Sequence, residues 1–251
     1  MKKIVFLTGA GISAESGFST FREANGLWEN YPVEKVATPE GWMEDPNLVT
    51  DFYNMLRSQL VKAEPNAAHF TLAELEKYFD VSIITQNVDN LHERAGSTDI
   101  VHLHGELMKV CSSHEPNNPE FIETLDEQHL VVEHGTLAKD GSLLRPWIVW
   151  FGEAVPNFEE AIKIAEQADI FVVIGTSLQV YPAAGLINYV PQHADIYVID
   201  PKEVAIKGNK NITVITEVAS KGTEILKKVL LKSHQTKSCG YVARRSISKT
   251  N

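Results

Sequence analysis

Four short segments of this chain carry residues whose types and spacing can do chemistry. The first is Gly9-Ala10-Gly11-Ile12-Ser13-Ala14-Glu15-Ser16-Gly17, placed directly after an apolar run. Glycines there let the backbone approach a phosphate, and the N–H groups of a following turn would bind its charge. The spacing is not the G-x-G-x-x-G of ordinary dehydrogenases; glycine turns after strands are common, so this segment alone is a weak signal. The second is Thr85-Gln86-Asn87-Val88-Asp89-Asn90-Leu91-His92. Its amides and carboxylate can hydrogen-bond ribose hydroxyls or a carboxamide, or simply form an Asx turn that caps a helix. The third is His102-Leu103-His104-Gly105, where glycine frees space beside the ring of His104. An imidazole titrates at about 6.5 and can act as a base near neutral pH. The fourth, Arg145-Pro146-Trp147-Ile148-Val149-Trp150-Phe151-Gly152-Glu153, is an extended apolar run that could pair with a peptide backbone or be a core strand.

The elements that must position these residues are legible as apolar runs. Ile4–Leu7, Val81–Thr85, Ile170–Ile174, Ile196–Ile199 and Ile212–Ile215 each read as a buried parallel strand. The first four stop at small or polar residues: Thr8-Gly9, Gln86-Asn87, Gly175-Thr176-Ser177 and Asp200-Pro201. Helical patterns over Ala67–Phe79 and Phe158–Gln167 separate strands, which predicts a Rossmann-like, doubly wound parallel α/β sheet. Ligands of such sheets bind at the carboxyl ends of the strands, where the polar residues fall. Two stretches break the rhythm. Residues 20–65 are helical in pattern and aromatic-rich, and residues 109–144 are polar with Pro116, Pro119 and Gly141; both read as insertions that build a small subdomain.

Bulk properties bound the function. The chain has 251 residues, 43% of them hydrophobic, which allows one large domain with a small insertion. Its formal net charge of -10 disfavours nucleic acid and suits a cationic, lysine-rich partner. Two cysteines, Cys111 and Cys239, do not make a disulfide scaffold. The run Ile4–Leu7 is too short for a signal or a membrane span, and no later stretch reaches spanning length, so a cytoplasmic protein without membrane contact is expected. After Glu224 the chain holds no acidic residue, while Lys227, Lys228, Lys232, Lys237, Arg244, Arg245 and Lys249 follow. Residues 233–251 read as a basic, flexible tail.

Taken together and in order, the motifs resemble the sirtuin family. The matching pieces are Gly9-Ala10-Gly11-Ile12-Ser13, Ser19-Thr20-Phe21-Arg22, Gly26-Leu27-Trp28, Thr85-Gln86-Asn87-Val88-Asp89, His104-Gly105, Val149-Trp150-Phe151-Gly152-Glu153 and Gly175-Thr176-Ser177. They span about residues 4–226. The resemblance implies a single sirtuin-type catalytic domain over 1–232, with NAD and an acyl-lysine protein or peptide meeting in a cleft. It implies that Gly9, Ala10, Gly11 and Ser13 hold the pyrophosphate, with Phe21, Arg22 and Trp28 on a cofactor loop. Gln86, Asn87 and Asp89 would surround the nicotinamide and its ribose. Gly175, Thr176, Ser177, Asp200 and Ala219 would take the adenosine side. Ala37, Tyr53, Val149, Phe151 and Gly152 would line the acyl-lysine site, with His104 and Asn87 catalytic. The family chemistry has the acyl oxygen attack the anomeric carbon as nicotinamide leaves, after which His104 takes a ribose hydroxyl proton; free lysine and O-acyl-ADP-ribose result. A sirtuin-fold ADP-ribosyltransferase and a catalytically silent NAD- or ADP-ribose-binding module are the alternatives.

The chain departs from the family at three places. A sirtuin zinc ribbon has two Cys-x-x-Cys pairs; here the first reads Cys111-Ser112-Ser113-His114 and the second falls near Leu137 and Asp140, so no metal is expected. His129 and His134 could complete a metal-like set with Cys111 and His114. Asp200 stands where the family has asparagine. A family branch that prefers acidic acyl groups carries Tyr-x-x-Arg; here Leu56 stands three after Tyr53 and Arg57 follows. One residue turns a helical side chain by about 100 degrees. Arg57 is thereby expected to point away, which favours neutral acyl groups because an unpaired buried carboxylate is costly.

Overall fold

The structure is a computed structural model that describes residues 1–18, 31–126, 128–176, 178, 180–202 and 212–245, without side chains beyond 233. Nine strands occur among these residues: β1 (Lys3–Thr8), β2 (Asp80–Thr85), β3 (Ile100–His102), β4 (Gly105–Ser112), β5 (Glu123–Thr124), β6 (Leu144–Ile148), β7 (Ile170–Ile174), β8 (Asp195–Ile199) and β9 (Ile212–Ile215). The helices are α1 (Val33–Val36), α2 (Pro39–Glu44), α3 (Pro46–Leu60), α4 (Ala67–Leu75), α5 (Leu91–Arg94), α6 (Phe158–Ala165) and α7 (Ala219–Arg245).

Six strands form one parallel sheet in the order β3-β2-β1-β7-β8-β9. Side chains alternate across it. Ile4, Phe6, Ile83, Val172 and Ile174 pack with Leu72 and Leu75 of α4 and Leu226 and Leu230 of α7. Val5, Leu7, Ile84, Phe171, Val173 and Val198 pack on the opposite face with Ala161 and Ala165 of α6. Both faces are covered, so the central strands are apolar throughout, as in doubly wound sheets. The order reverses between β1 and β7, which places the carboxyl ends of those two strands at the topological switch point.

The small subdomain has its own antiparallel sheet, β5-β4-β6, and the helices α1–α3. Phe52, Leu56 and Leu60 of α3 form a third core with Val36, Leu107, Ile148 and Trp150. Local chemistry starts these helices. The Thr38 hydroxyl accepts from Gly41 N at 3.0 Å, and Asp45 accepts from the N–H groups of Asn47 and Leu48 at 3.1 and 3.0 Å. Such caps satisfy N–H groups that no helical carbonyl can reach.

Two sequence expectations change. The run 145–153 is not one extended segment: β6 ends at Ile148, because the N–H groups of Val149 and Phe151 go to His104 O (2.9 Å) and Ala37 O (3.0 Å), outside any ladder. The chain from 233 onward, read as a flexible tail, continues α7 to Arg245.

Candidate active site

The glycine segment and the end of β7 meet backbone to backbone. Gly11 N–H donates to Gly175 O at 2.9 Å, and Gly9 N–H to Ile174 O at 3.0 Å. A Cβ on Gly11 would lie 2.6 Å from the Cα of Gly175, which itself has φ +62. Only glycine fits both positions, because the two backbones pack directly against each other where the strand ends meet.

Asn87, Asp89 and Ser13 form a buried hydrogen-bonded cluster beside that glycine turn. Asn87 Nδ2 donates to Gly9 O (3.2 Å) and Ser13 Oγ (3.1 Å), and Ser13 Oγ donates to Asp89 Oδ2 (2.8 Å). Asp89 Oδ1 also accepts from Leu91 N–H at 3.1 Å. Burial pushes the Asp89 carboxyl above the usual range, and the bonds from Ser13 and Leu91 oppose that push. Gln86 Nε2 donates to Thr176 Oγ1 at 3.0 Å, which joins this segment to the end of β7. Thus the separate motifs at 9–13, 85–89 and 175–176 are in direct contact.

His104 stands between this cluster and the small subdomain. Its Nδ1–H donates to Gln86 O at 2.9 Å, which leaves Nε2 as the basic nitrogen. Burial holds its pKa below the ordinary histidine value, so the ring is neutral at neutral pH. His104 O in turn accepts from Val149 N–H, which fixes the start of the 149–152 segment beside it. His102, two residues earlier, was passed over in the sequence reading. It lies directly behind Asn87, with Nδ1 3.0 Å from Asn87 O. Its signal was the i, i+2 spacing from His104, which in extended chain puts two side chains on one face.

Tyr53 on α3 and the segment after β6 come together in the small subdomain. Tyr53 Oη accepts from Trp150 Nε1 at 3.0 Å, and burial drives the phenol pKa up. Trp150 lies over the Arg145 guanidinium (3.4 Å to the ring centroid), and Arg145 pairs with Glu153 at 2.7 Å. Ala37 is buried and Phe151 is about half exposed. Arg57 is turned away from Tyr53's neighbour Leu56: its Nε donates to Leu107 O (2.9 Å) and its Nη1 to Asn54 Oδ1 (2.8 Å), with 1% of the residue exposed. Burial lowers its pKa to about 10. Asp200 sits at the end of β8, where its Oδ1 accepts from Lys202 N–H, and buried Ala219 opens α7. Phe21, Arg22, Trp28 and Ser177 lie outside the described residues.

The residues of the lost metal ribbon do not fit zinc. Ser112 Oγ accepts from the N–H groups of His114 (3.0 Å) and Glu115 (2.9 Å) and donates to Asp140 (2.5 Å). Cys111 is fully buried against Pro146 O and is the one thiol at this place, where a zinc ribbon has four. His134 bonds Asp51, His129 bonds Asp126 and Cys111 Sγ faces Pro146 O, so three of the four candidate ligands have separate partners. Among the described residues no three histidine, cysteine or acidic side chains converge as a metal site.

A parallel sheet with glycine turns at its switch point, and polar side chains gathered at the strand ends beside them, has the arrangement of a nucleotide-binding α/β sheet. Residues 9–182 match the Sir2 family model, and the chain belongs to that family. It is 61% identical over 231 residues to an NAD-dependent protein deacylase of Bacteroides thetaiotaomicron, covering 92% of this chain and 99% of that one. It is 53% identical to the protein of the same name from Helicobacter pylori, over 87% and 93% of the two chains. Among solved structures it resembles a Sir2 homolog–NAD complex (39% identity, TM-score 0.80, 93% and 91% covered). It also resembles Sir2 bound to acetylated peptide (28% identity, TM-score 0.73, 90% and 92% covered).

Proposed function

We propose that this chain is an NAD-dependent protein-lysine deacylase that transfers short neutral acyl groups, acetyl among them, from lysine to the ribose of NAD. The observation that carries the reading is the tautomer of His104. Its Nδ1–H is held by Gln86 O, so Nε2 carries the lone pair, and His104 O binds Val149 N–H at the start of the 149–152 segment. In this reading the pyrophosphate of NAD lies at the glycine turns that end β1 and β7, the switch point where such sheets bind ligands, and a Cβ at Gly9 or Gly11 would break the close packing of those turns. NAD supplies an activated anomeric carbon from which nicotinamide departs.

The chain's own residues do the rest. Asn87 and Asp89 orient the nicotinamide ribose, and the Asp89 carboxylate stabilises positive charge at its anomeric carbon. His104 Nε2 takes the proton from a ribose hydroxyl. Gly175, Thr176, Asp200 and Ala219 hold the adenosine side, and Ala37, Tyr53, Val149, Phe151 and Gly152 receive the acyl-lysine. Phe21, Arg22, Trp28 and Ser177 complete the cofactor contacts in this reading.

The neutral-acyl preference is supported by Arg57. Leu56, three residues after Tyr53, packs with it in the small-subdomain core, and the neighbouring Arg57 guanidinium is committed to Leu107 O and Asn54. A panel of acetyl-, butyryl- and succinyl-lysine peptides with NAD tests this. Acetyl and butyryl loss should exceed succinyl loss, and the reverse ranking refutes it. The remaining parts of the reading are one catalytic domain over 1–232, a cytoplasmic location, and protein or peptide partners without nucleic acid. No helix among the described residues is long and apolar enough to cross a membrane.

A further inference from the structure

Behind the proposed nicotinamide site lies a histidine with two acceptors. His102 Nδ1 is 3.0 Å from Asn87 O, and His102 Nε2 is 2.7 Å from Glu93 Oε1. A carbonyl oxygen only accepts, and so does a carboxylate. A neutral imidazole has a single N–H, so it can satisfy one of these partners and not both. The residue is 6% exposed, so water cannot substitute for the missing proton cheaply.

We infer that His102 is a positioning residue that works as an imidazolium, pinning the Asn87 backbone with one N–H while Glu93 holds the other. This rests on the deacylase reading of the cleft. Asn87 joins the two ends of the device. Its carbonyl takes the His102 proton, while its side chain bonds Gly9 O and Ser13 Oγ, and Ser13 bonds Asp89. Loss of the His102 charge therefore loosens the peptide that aims the Asn87 amide. It also removes a positive charge that favours ionised Asp89.

The groups facing His102 act in opposing directions. Burial disfavours its charge; the bond and charge of Glu93 on α5, the charge of Glu106 on β4 and the Asn87 carbonyl favour it, and the result is a pKa above the ordinary histidine value. His92 on α5 is itself buried and stays neutral, so it adds no competing cation. Asn157 Nδ2 donates to His102 O at 2.9 Å and fixes the backbone from the other side. A raised folded pKa means that the contribution is complete below the unfolded value and is lost as pH rises through the folded one. His102 thus sets an alkaline limit on turnover, opposite to the acid limit that His104 sets.

Two measurements on the full chain test this. Ring-nitrogen NMR of His102, assigned by its disappearance in His102→Gln, should show both nitrogens protonated at neutral pH; one unprotonated nitrogen overturns the proposal. That readout needs no turnover, so it stands apart from the deacylase reading, which an inactive wild-type enzyme would refute by itself. In kinetics, His102→Gln should lower kcat about ten- to a hundredfold, the worth of one charge-assisted hydrogen bond, with the alkaline limb abolished. Glu93→Gln, at a side chain 40% exposed, keeps the ring and should move that limb to lower pH. An alkaline limb left in place in Glu93→Gln would show His102 to be structural packing only.

Discussion

The Nδ1 atoms of His102 and His104 donate to the carbonyls of successive residues, Asn87 at 3.0 Å and Gln86 at 2.9 Å. The two rings share one strand end and one type of backbone bond, yet their charges differ. Glu93 receives the second nitrogen of His102, whereas burial without a carboxylate partner keeps His104 a base. One histidine is set to hold a proton and the other to take one.

His104→Ala should reduce turnover about 100- to 10,000-fold in a variant with an unchanged melting temperature, the range for a positioned base. A base must be neutral, and the His104 pKa lies below its ordinary value. The acid limb of kcat/KM should therefore fall below about 6.5, with activity complete at neutral pH. An acid limb centred above that value would reassign the base.

Leu56→Arg should raise the ratio of succinyl to acetyl turnover about ten- to a hundredfold, the gain from one charge-assisted bond to the acyl carboxylate. Arg57→Leu should leave the ranking unchanged. It should destabilise by about 1–3 kcal/mol, because Leu107 O and Asn54 Oδ1 lose a buried donor. Denaturant unfolding and the peptide panel read the two effects separately.

Gly11→Ala should weaken NAD binding and cost about 1–3 kcal/mol, because its Cβ would meet the Gly175 backbone at 2.6 Å and that backbone cannot rotate away. Gly185→Ala is the control: its nearest neighbour is the Tyr181 ring at 4.0 Å. Calorimetric titration with NAD should separate the two variants clearly.

The small subdomain should be indifferent to chelators. Ser112→Ala removes the acceptor of two N–H groups and the donor to Asp140, and should lower stability by about 1–3 kcal/mol. Asp140 is held below its ordinary pKa by the bond from Ser112. That contribution is present above the unfolded carboxylate value and is lost as pH falls through the folded one. A melting temperature that drops on chelation in the wild type would show that metal carries the fold after all.

Much of this was legible because parallel strands buried on both faces are apolar at every position. The runs at 4–7, 81–85, 170–174 and 196–199 became β1, β2, β7 and β8 with ends shifted by at most one residue, whereas 212–215 became β9, an edge strand that is partly exposed rather than buried. β3 escaped notice because it has three residues and draws its order from pairing with β2. Helix geometry separates Arg57 from Leu56, and the guanidinium bonds Leu107 O and Asn54 Oδ1. The Trp150–Tyr53 bond joins residues 97 apart and has no local signature. His102 has acceptors only 15 and 9 residues away, Asn87 and Glu93, but no single motif contains all three.

The most direct test of the central claim is stoichiometric. Purified protein, NAD and an acetyl-lysine peptide would be followed by mass spectrometry for free lysine, nicotinamide and O-acetyl-ADP-ribose. The account predicts that all three appear in equal amounts and that His104→Ala produces almost none. NAD consumption with the acetyl group still on lysine would contradict it and point to ADP-ribosyl transfer instead.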